Sequence, residues 1–553
     1  MSPTAFLTES LLQPRCLAWI VGGGYAIDIT LYKFFYRAVL YPRFFSPLRN
    51  VPGPPLGNPF FGQFLTILRN KTCIPQRDWA NKYGPVVRQM GLFGEERLIL
   101  LSPEALQQFV VTGRLEYPRP QFIRDVMGMI VGYGLFTVTG DEHKQLRKSI
   151  TPRVFDSKPH GPCVETDMYY EPIEGLIDIM KTKLGADSAQ ETGKILPVYE
   201  WMCKVTLDII CETAFGYKSD CLHNPSAELA VAFESIAGLQ TGLNLAKLIF
   251  VISLPGGSRL SRSDFLFRHR LLLRRIPGLR NLGTLLDGLH RIRNISRDLL
   301  RAKTADLSIS LNDMTTKKDI MSLLVKARQA DLDTGGGSDV RQSNVGSNAD
   351  VPGGGPRDDG DRAVTLWLLA NDPESQRRLR EEVTPIYEAN PHPDYRTIKS
   401  LTWLDCVINE SLRVLPPVSD PVRVAAKTGY IDGLLVPKGT VFNIPARSAS
   451  IPVINQRKEF WGDDSEEFHP ARWLDLPKAC NPTFSTYTFL SGPHGCIGKT
   501  MAVSEMKAVL LVLIANFEFA PAYKGQIAHP AAALTMKPED NMPLRVTCVA
   551  GKA

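Results

Sequence analysis

The sequence predicts a mainly α domain with a small β portion (α+β). Three observations carry this. Long stretches space their apolar residues at helical intervals, as in VYEWMCKVTLDIICETAFGY (198–217), KKDIMSLLVKARQA (317–330) and DPESQRRLREEVTPIYEA (372–389). One shorter section, GYIDGLLVPKGTVFNIPAR (429–447), sets β-branched residues between the turn signals Asp432-Gly433 and Lys438-Gly439. No internal repeat divides the chain, and 553 residues suffice for a single large core.

Taken in order, residues 1–50 read as a membrane anchor and connector. The apolar run 16–32 approaches the roughly 20 residues a bilayer span needs, though it holds three glycines and Asp28. Arg15 precedes it, and Lys33, Arg37 and Arg43 follow, a bias that places the body of the chain in the cytosol. The alternative is a surface amphipathic helix that never crosses. A secretory signal fits less well, because no small-residue cleavage site follows. Residues 51–64, with their clustered prolines, read as a stiff hinge. Residues 65–553 form the main domain, mostly helical from about Asp78. Within it Asp372 is an N-cap, with Pro373 at the first helical position. The tract 331–362 is anomalous: it is dense in glycine and proline, yet it feeds a helix whose apolar face is Ala363, Leu366, Trp367, Leu369 and Ala370.

Net charge is +7, and no basic stripe is interleaved with stacking aromatics. This argues against nucleic acid as a partner and for weak attraction to anionic membrane surfaces. The ten cysteines (Cys16, Cys73, Cys163, Cys203, Cys211, Cys221, Cys406, Cys480, Cys496 and Cys548) are scattered singly, without a CxxC. That pattern fits reduced thiols rather than a disulfide scaffold or a zinc site.

The strongest local signal is FLSGPHGCIGKTMAVSEMKAVLLVLIANFEF (489–519). Cys496 lies among Gly492, Gly495 and Gly498, just before a long amphipathic helix. Glycines let backbone approach a flat ligand and adopt positive φ. A thiol at a helix N-terminus is biased toward thiolate, a soft metal ligand. A buried inert cysteine is the competing explanation. Upstream, Glu410 and Arg413 lie three apart on one helix face, able to pair.

The stretch Phe489-x-x-Gly492-x-His494-x-Cys496-x-Gly498 resembles the haem-binding signature of the cytochrome P-450 haem-thiolate monooxygenases, Phe-x-x-Gly-x-Arg-x-Cys-x-Gly. NESLRVLPPV supplies the family's Glu410-x-x-Arg413 pair. FHPARW puts Arg472 at the third position of that ion-pair network. GDEHKQLRKSITPRVF resembles the family's C-helix, with His143 where many members have Trp and Arg147 where a haem propionate is bound. Arg423 matches a second propionate-contacting position, and the N-terminal segment with VPGPP looks like that of eukaryotic microsomal members.

The resemblance implies haem b with Cys496 as axial ligand, its thiolate favouring O–O cleavage. Arg147 and Arg423 would pair with propionates, and so could His143 and His494. His494 departs from the usual Arg: it is shorter, lacks the bidentate fork and is mostly neutral at pH 7 unless a propionate raises its pKa. Glu410, Arg413 and Arg472 would be structural supports. The implied partners are a lipophilic small-molecule substrate, an NADPH-dependent reductase and a membrane, with the chain on the endoplasmic reticulum and its catalytic domain facing the cytosol. Substrate determinants are expected around 100–130 and 220–290. Small-molecule biosynthesis and detoxification are both open, and the resemblance favours secondary-metabolite biosynthesis.

One family element is missing. Where members carry Ala-Gly-x-(Asp/Glu)-Thr on a long distal helix, whose acid and alcohol guide protons during O₂ activation, this chain has GGGSDVRQSNVGSNADVPGGGPRDDGD. There is no threonine between Gly335 and Ala363, and the composition disfavours helix. The distal helix therefore reads as disrupted, and no catalytic acid/threonine pair can be assigned. A shifted reading frame accounts for this economically. Written with CGN arginines, 351–362 is GTN CCN GGN GGN GGN CCN CGN GAY GAY GGN GAY CGN. Read from the second base, it permits Phe-Leu-Ala-Ala-Gly-His-Glu-Thr-Thr-Ala-Thr, the absent motif in full. A natural insertion is the alternative. As written, the chain is expected to activate oxygen poorly. Its rivals as a working monooxygenase are a haem-thiolate isomerase or dehydratase and a catalytically impaired haem-binding paralogue.

Overall fold

The computed structural model describes residues 35–309 and 359–549, together with Tyr32 and Met321. Within those ranges it leaves out 71–73, 103–104, 106–107, 109–115, 131, 133, 155–165, 186–192, 240–241, 255, 418–421, 444–453, 457, 481–485, 487, 491, 528–529, 532–536 and 539. The apolar run 16–32 (apart from Tyr32) and the tract 331–358 therefore lie outside the described residues, as does 317–330 apart from Met321. Among the described residues no helix is long and apolar enough to cross a membrane.

The architecture is mainly α with small sheets, as the sequence predicts. The helices that matter for the site are α1 (Gln121–Ile130), α2 (Gly140–Val154), α3 (Asp167–Leu184), α4 (Val198–Phe215), α5 (Glu228–Leu239), α6 (Gly242–Ser253), α7 (Gly257–Arg262), α8 (Asp264–Arg268), α9 (Arg270–Arg275), α10 (Arg280–Ile309), α11 (Asp359–Asn371), α12 (Pro373–Ala389), α13 (Thr402–Val414) and α14 (Lys499–Asn516). α4 is apolar on most sides and ends where Gly216 turns left-handed (φ 58°), freeing its N–H to donate to Glu212 O. α12 begins as its sequence dictates: Asp372 accepts from the Ser375 N–H at 3.1 Å, and Pro373 follows.

The strands are β1 (Val86–Met90), β2 (Glu96–Leu100), β3 (Lys194–Pro197), β4 (Val422–Val424), β5 (Gly429–Ile431), β6 (Leu434–Val436), β7 (Val441–Asn443), β8 (Phe517–Pro521) and β9 (Pro543–Cys548). One sheet runs β1-β2-β7-β4, with β2 and β7 parallel and Arg97 opposite Val441. A second runs β3-β9-β8, and β5 pairs with β6 as a hairpin. Asp432 (φ 49°) and Gly433 (φ 73°) close that hairpin, the two positive φ values its two-residue turn demands. The sequence predicts mostly helix from about Asp78 and does not single out 86–100, which forms a strand pair. Its near-continuous burial hides the alternation that marks a half-exposed strand.

The N-terminal π-helical turn Tyr36–Phe45 is fastened to this sheet. The buried Arg88–Glu96 pair (2.6 Å) spans β1 and β2. Arg88 also donates to Pro42 O, and Ser46 Oγ donates to Glu96. The proline-rich stretch is laid against β1, with the Arg88 N–H donating to Pro52 O and the Gln63 N–H to Met90 O.

The main core gathers α3, α4, α11, α12, α13 and α14 with the second sheet. α14 differs from its sequence reading as amphipathic: every residue from Ser504 to Asn516 is buried. Its apparent polar face consists of residues with buried or half-buried partners. Glu505 pairs with Arg362 of α11 at 2.8 Å, and Lys507 with Asp405 of α13 at 2.8 Å.

Candidate functional site

The site is built on the loop that leads into α14. Gly492–His494 forms a 3₁₀ turn, the Gly495 N–H donates to Gly492 O at 2.9 Å, and the Cys496 N–H donates to Phe489 O at 2.7 Å. These bonds fold Phe489–Cys496 into a tight hook that leaves Cys496 exposed at the mouth of α14. Only Gly492 among its glycines uses a left-handed backbone (φ 70°), and Leu490 is held there too (φ 57°), a conformation leucine rarely adopts. Gly498 caps α14 at φ −88°, so its backbone does not require glycine. A side-chain carbon there would meet nothing within 4 Å, and what glycine spares is a bulky neighbour to Cys496.

α2 crosses this loop. Arg147 Nη1 donates to Gly495 O at 2.7 Å, one residue from the thiol. His143, one turn earlier on the same face, is buried with its ring 4.4 Å from that of His494. Arg423, on β4, is also buried. The structure thus brings His143, Arg147, Arg423, His494 and Cys496 together from three separate parts of the chain.

It adds one residue that sequence reasoning missed, Arg119. Burial and the nearby Arg423 hold its guanidinium down to about 9. Burial, then Arg119 and Arg147, push His143 down to about 4. Burial, then His143, Arg119, Arg423 and Arg147, push His494 down to about 3. The charged neighbours acting on His494 are all cationic. Like charges gathered out of water are costly, and an anion placed among them offsets that cost by attracting every one of them. Arg119 precedes a proline just before α1 and belongs to no spaced motif, so nothing in the sequence marked it.

The network of Glu410, Arg413 and Arg472 lies behind the loop. Glu410 and Arg413 are fully buried and doubly bonded, Nη2 to Oε1 at 2.7 Å and Nε to Oε2 at 2.8 Å. Arg472 Nε reaches Glu410 Oε1 at 2.8 Å, the Trp473 indole donates to Oε2 at 2.9 Å, and the His469 N–H donates to Oε1 at 2.9 Å. Arg413 also donates to the carbonyls of Asn455, Ser465 and Glu467, and Arg472 to Asp464. Buried charges survive only when so fully satisfied. The network connects to the loop: Asn455 Nδ2 donates to Thr488 Oγ1 at 3.3 Å, and Thr488 Oγ1 donates to Leu412 O at 2.8 Å, immediately before Phe489.

These residues fit haem. A porphyrin with two propionates asks for one soft axial donor, a backbone free of bulk beside it and concentrated positive charge at its acidic edge. The exposed Cys496 thiol, Gly498 and the guanidinium groups of Arg119, Arg147 and Arg423, with the His143 and His494 rings among them, answer each of these requirements.

Comparison with known proteins agrees with this geometry. The cytochrome P450 family model matches residues 52–255 and 363–544, more than half of the chain. Cytochrome P450 monooxygenase 205 of Postia placenta is 29% identical over 511 residues, covering 86% of each chain. Cytochrome P450 monooxygenase sphH of Aspergillus fumigatus is 27% identical over 544 residues, covering 95% of this chain and 92% of that one. Cytochrome P450 monooxygenase claO of Ampulloclitocybe clavipes is 26% identical over 502 residues, covering 86% of each. With its cysteine loop, buried ion-pair network and family match all in register, the chain belongs to the cytochrome P450 family.

Proposed function

We propose that this protein inserts one oxygen atom from O₂ into a lipophilic small molecule of secondary metabolism, using electrons relayed by an NADPH-dependent reductase. As a member of its family it is a haem-dependent oxidoreductase. The family's cofactor is haem b held through a cysteine thiolate. When bound, haem supplies the redox-active iron for O₂ chemistry. The remaining roles fall to this chain. Cys496 provides the thiolate, presented by the Phe489 O–Cys496 N hydrogen bond and biased to its charged form by the N-terminus of α14. Arg119, Arg147, Arg423, His143 and His494 would hold the propionates. Glu410, Arg413 and Arg472 fix the loop through Asn455 and Thr488 without touching reactants. The observation that carries this reading is the convergence of cationic groups on the cysteine loop: Arg147 of α2, Arg423 of β4 and Arg119 ahead of α1.

The curated relatives named as monooxygenases are fungal, which supports a fungal small-molecule pathway. The bias of basic residues after the apolar run 16–32 supports an endoplasmic-reticulum anchor with the domain in the cytosol. The domain division at 50/51 and 64/65, with 16–32 as a spanning helix, belongs to the same proposal.

The test is purified full-length chain with haem, O₂, NADPH and a eukaryotic reductase, following oxygen uptake against hydroxylated product from a panel of lipophilic substrates. Product formed one-for-one with NADPH supports the reading. Isomerisation or dehydration of an organic peroxide without reductase or O₂, with no NADPH-dependent hydroxylated product, overturns it in favour of a rearranging haem-thiolate enzyme.

A second reading rests on one specific observation: no threonine, and so no acid/threonine pair, occurs from Gly335 to Arg362, and the family match lapses over 256–362 to resume at Ala363. For the chain as written, we propose NADPH oxidation poorly coupled to product. Sequencing the transcript across codons 330–369 separates the cases. A restored Ala-Gly-His-Glu-Thr frame predicts tight coupling, and the sequence as given predicts peroxide release in place of product.

A further inference from the structure

We infer that Gln89 of β1, with Gln76 of the preceding helix Ile74–Tyr83, forms a hydrogen-bonding site for a hydroxyl group of the substrate. The inference rests on the reading that the chain oxidises a lipophilic small molecule, and it names the class within that reading: a lipophilic alcohol.

The first observation is a pair of unused amides. Gln89 is 1% and Gln76 3% exposed. Neither Nε2 nor Oε1 of Gln89, nor Oε1 of Gln76, has a hydrogen-bond partner among the described residues. Three other buried glutamines are bonded at both ends of the amide. Gln63 donates to Pro55 O and accepts from the Met90 N–H. Gln376 donates to Phe519 O and accepts from the Phe519 N–H, each at 2.9 Å. Gln526 donates to Pro543 O at 2.8 Å and accepts from the Ala522 N–H at 2.9 Å. Those three hold the fold together. A buried amide that bonds nothing in its own chain is costly, and it asks for a partner that arrives from outside.

The second observation is that the two amides come level. Side chains alternate along a strand. Arg88 is turned toward the N-terminal turn, where it bonds Glu96 and Pro42 O, so Gln89 faces the other side of the sheet. The helix Ile74–Tyr83 packs against β1, and Gly84-Pro85 turns the chain back between them, with Gly84 at φ 101°. From that turn, seven helical residues back to Gln76 and three extended residues on to Gln89 each cover about 10 Å. Gln76 shares one helix face with Ala80 and Tyr83, at i, i+4 and i+7, and it is the buried member of the three.

The third observation is location and charge. Arg97 is the cross-strand partner of Gln89, and its guanidinium carbon lies 5.6 Å from the centre of the Phe122 ring of α1. Phe122 follows Arg119 of the cationic cluster by three residues, at most about 11 Å of extended chain. The amides therefore border the haem-edge cluster through α1. A carboxylate is a poor occupant, since it would meet the amide oxygens and Glu95, which Arg97 already engages at 2.7 Å. An ammonium group would meet Arg97 itself. A hydroxyl is neutral, accepts from the Gln89 N–H and donates to an amide oxygen, and so uses what the site leaves unbonded.

The test is spectroscopic titration of the full-length, haem-loaded chain with dodecan-1-ol and with farnesol, each against its methyl ether, reading the ligand-induced shift of the haem absorption band. We expect at least one alcohol to bind about tenfold more tightly than its ether. Gln89→Met and Gln76→Met, close in volume but without the amide, should each bring that pair within about twofold. An unchanged carbon-monoxide band shows that each variant holds its haem. In the ligand-free chain Gln89→Met should leave the thermal unfolding midpoint unchanged or raise it, because an unbonded amide is replaced by an apolar chain. Equal affinity for alcohol and ether on both skeletons, no shift with any of the four, or discrimination that survives both substitutions overturns the proposal. A lowered midpoint with discrimination intact overturns it too, in favour of an amide that serves the fold. Failure of the monooxygenase reading looks different: discrimination persists in binding while no substrate yields NADPH-dependent product.

Discussion

Two buried arginines, Arg413 and Arg362, are placed by opposite logic. Arg413 lies in the last turn of α13, where the helix dipole favours a cation, and it is bonded to Glu410 and to three backbone carbonyls. Arg362 lies in the opening turn of α11, the end the dipole makes unfavourable for positive charge. It is held by Glu505 at 2.8 Å and by Thr206. The first pair sits within a scaffold that fixes the cysteine loop. The second sits at the last residue of the anomalous tract, one position before the family match resumes. Being buried and paired does not make the two equivalent. Among the described residues, the difference lies in what each arginine connects: Arg413 ties Glu410 to three backbone carbonyls, and Arg362 ties α11 to α14 and α4.

The comparison can be broken by mutation. Arg413→Leu leaves Glu410 charged and enclosed, and should cost about 3–5 kcal/mol. Removing both partners, Glu410→Leu with Arg413→Leu, should recover little, because Arg472, Trp473 and the carbonyls around them lose their partners too. Urea unfolding and the yield of haem-loaded protein report both. The pair at α11 should behave differently. Arg362→Leu alone should be costly, but Arg362→Leu with Glu505→Leu should come within about 1 kcal/mol of the parent or exceed it, since a well-packed apolar pair often equals a buried ion pair. A double-mutant cycle measures the contrast. Full recovery at Glu410/Arg413, or none at Arg362/Glu505, would erase it.

Smaller effects sharpen the picture. Thr488→Val cuts the link from Asn455 to the cysteine loop and should cost about 1 kcal/mol, with faster haem loss to apomyoglobin as the readout. Asp372→Ala removes the N-cap of α12, which has no hydrogen bond to the cysteine loop among the described residues. It should cost about 1 kcal/mol in unfolding while leaving haem loss unchanged.

What was legible in the sequence was local. The Glu410/Arg413 spacing, the glycine-rich loop around Cys496, the Asp372 cap and the Asp432-Gly433 turn each encode their geometry within a few residues. What was hidden depends on partners far along the chain. β2 pairs with β7 across more than three hundred positions, and no local pattern announces it. Glu505 and Lys507 gave α14 a false polar face, because Arg362 and Asp405 are separated from them in sequence. Arg119 joins the cationic cluster only through the tertiary fold. The His494 substitution was visible in the motif, but its ring contact with His143 was not, since that contact joins α2 to the loop.

The most direct test is the absorption spectrum of the reduced, carbon-monoxide-bound full-length chain beside that of Cys496→Ser. The account predicts the red-shifted band of a thiolate-ligated haem in the parent and its loss in the variant, with Arg362→Leu/Glu505→Leu retaining it. A parent that binds no haem, or that shows the band of an imidazole-ligated haem unchanged by Cys496→Ser, would contradict it.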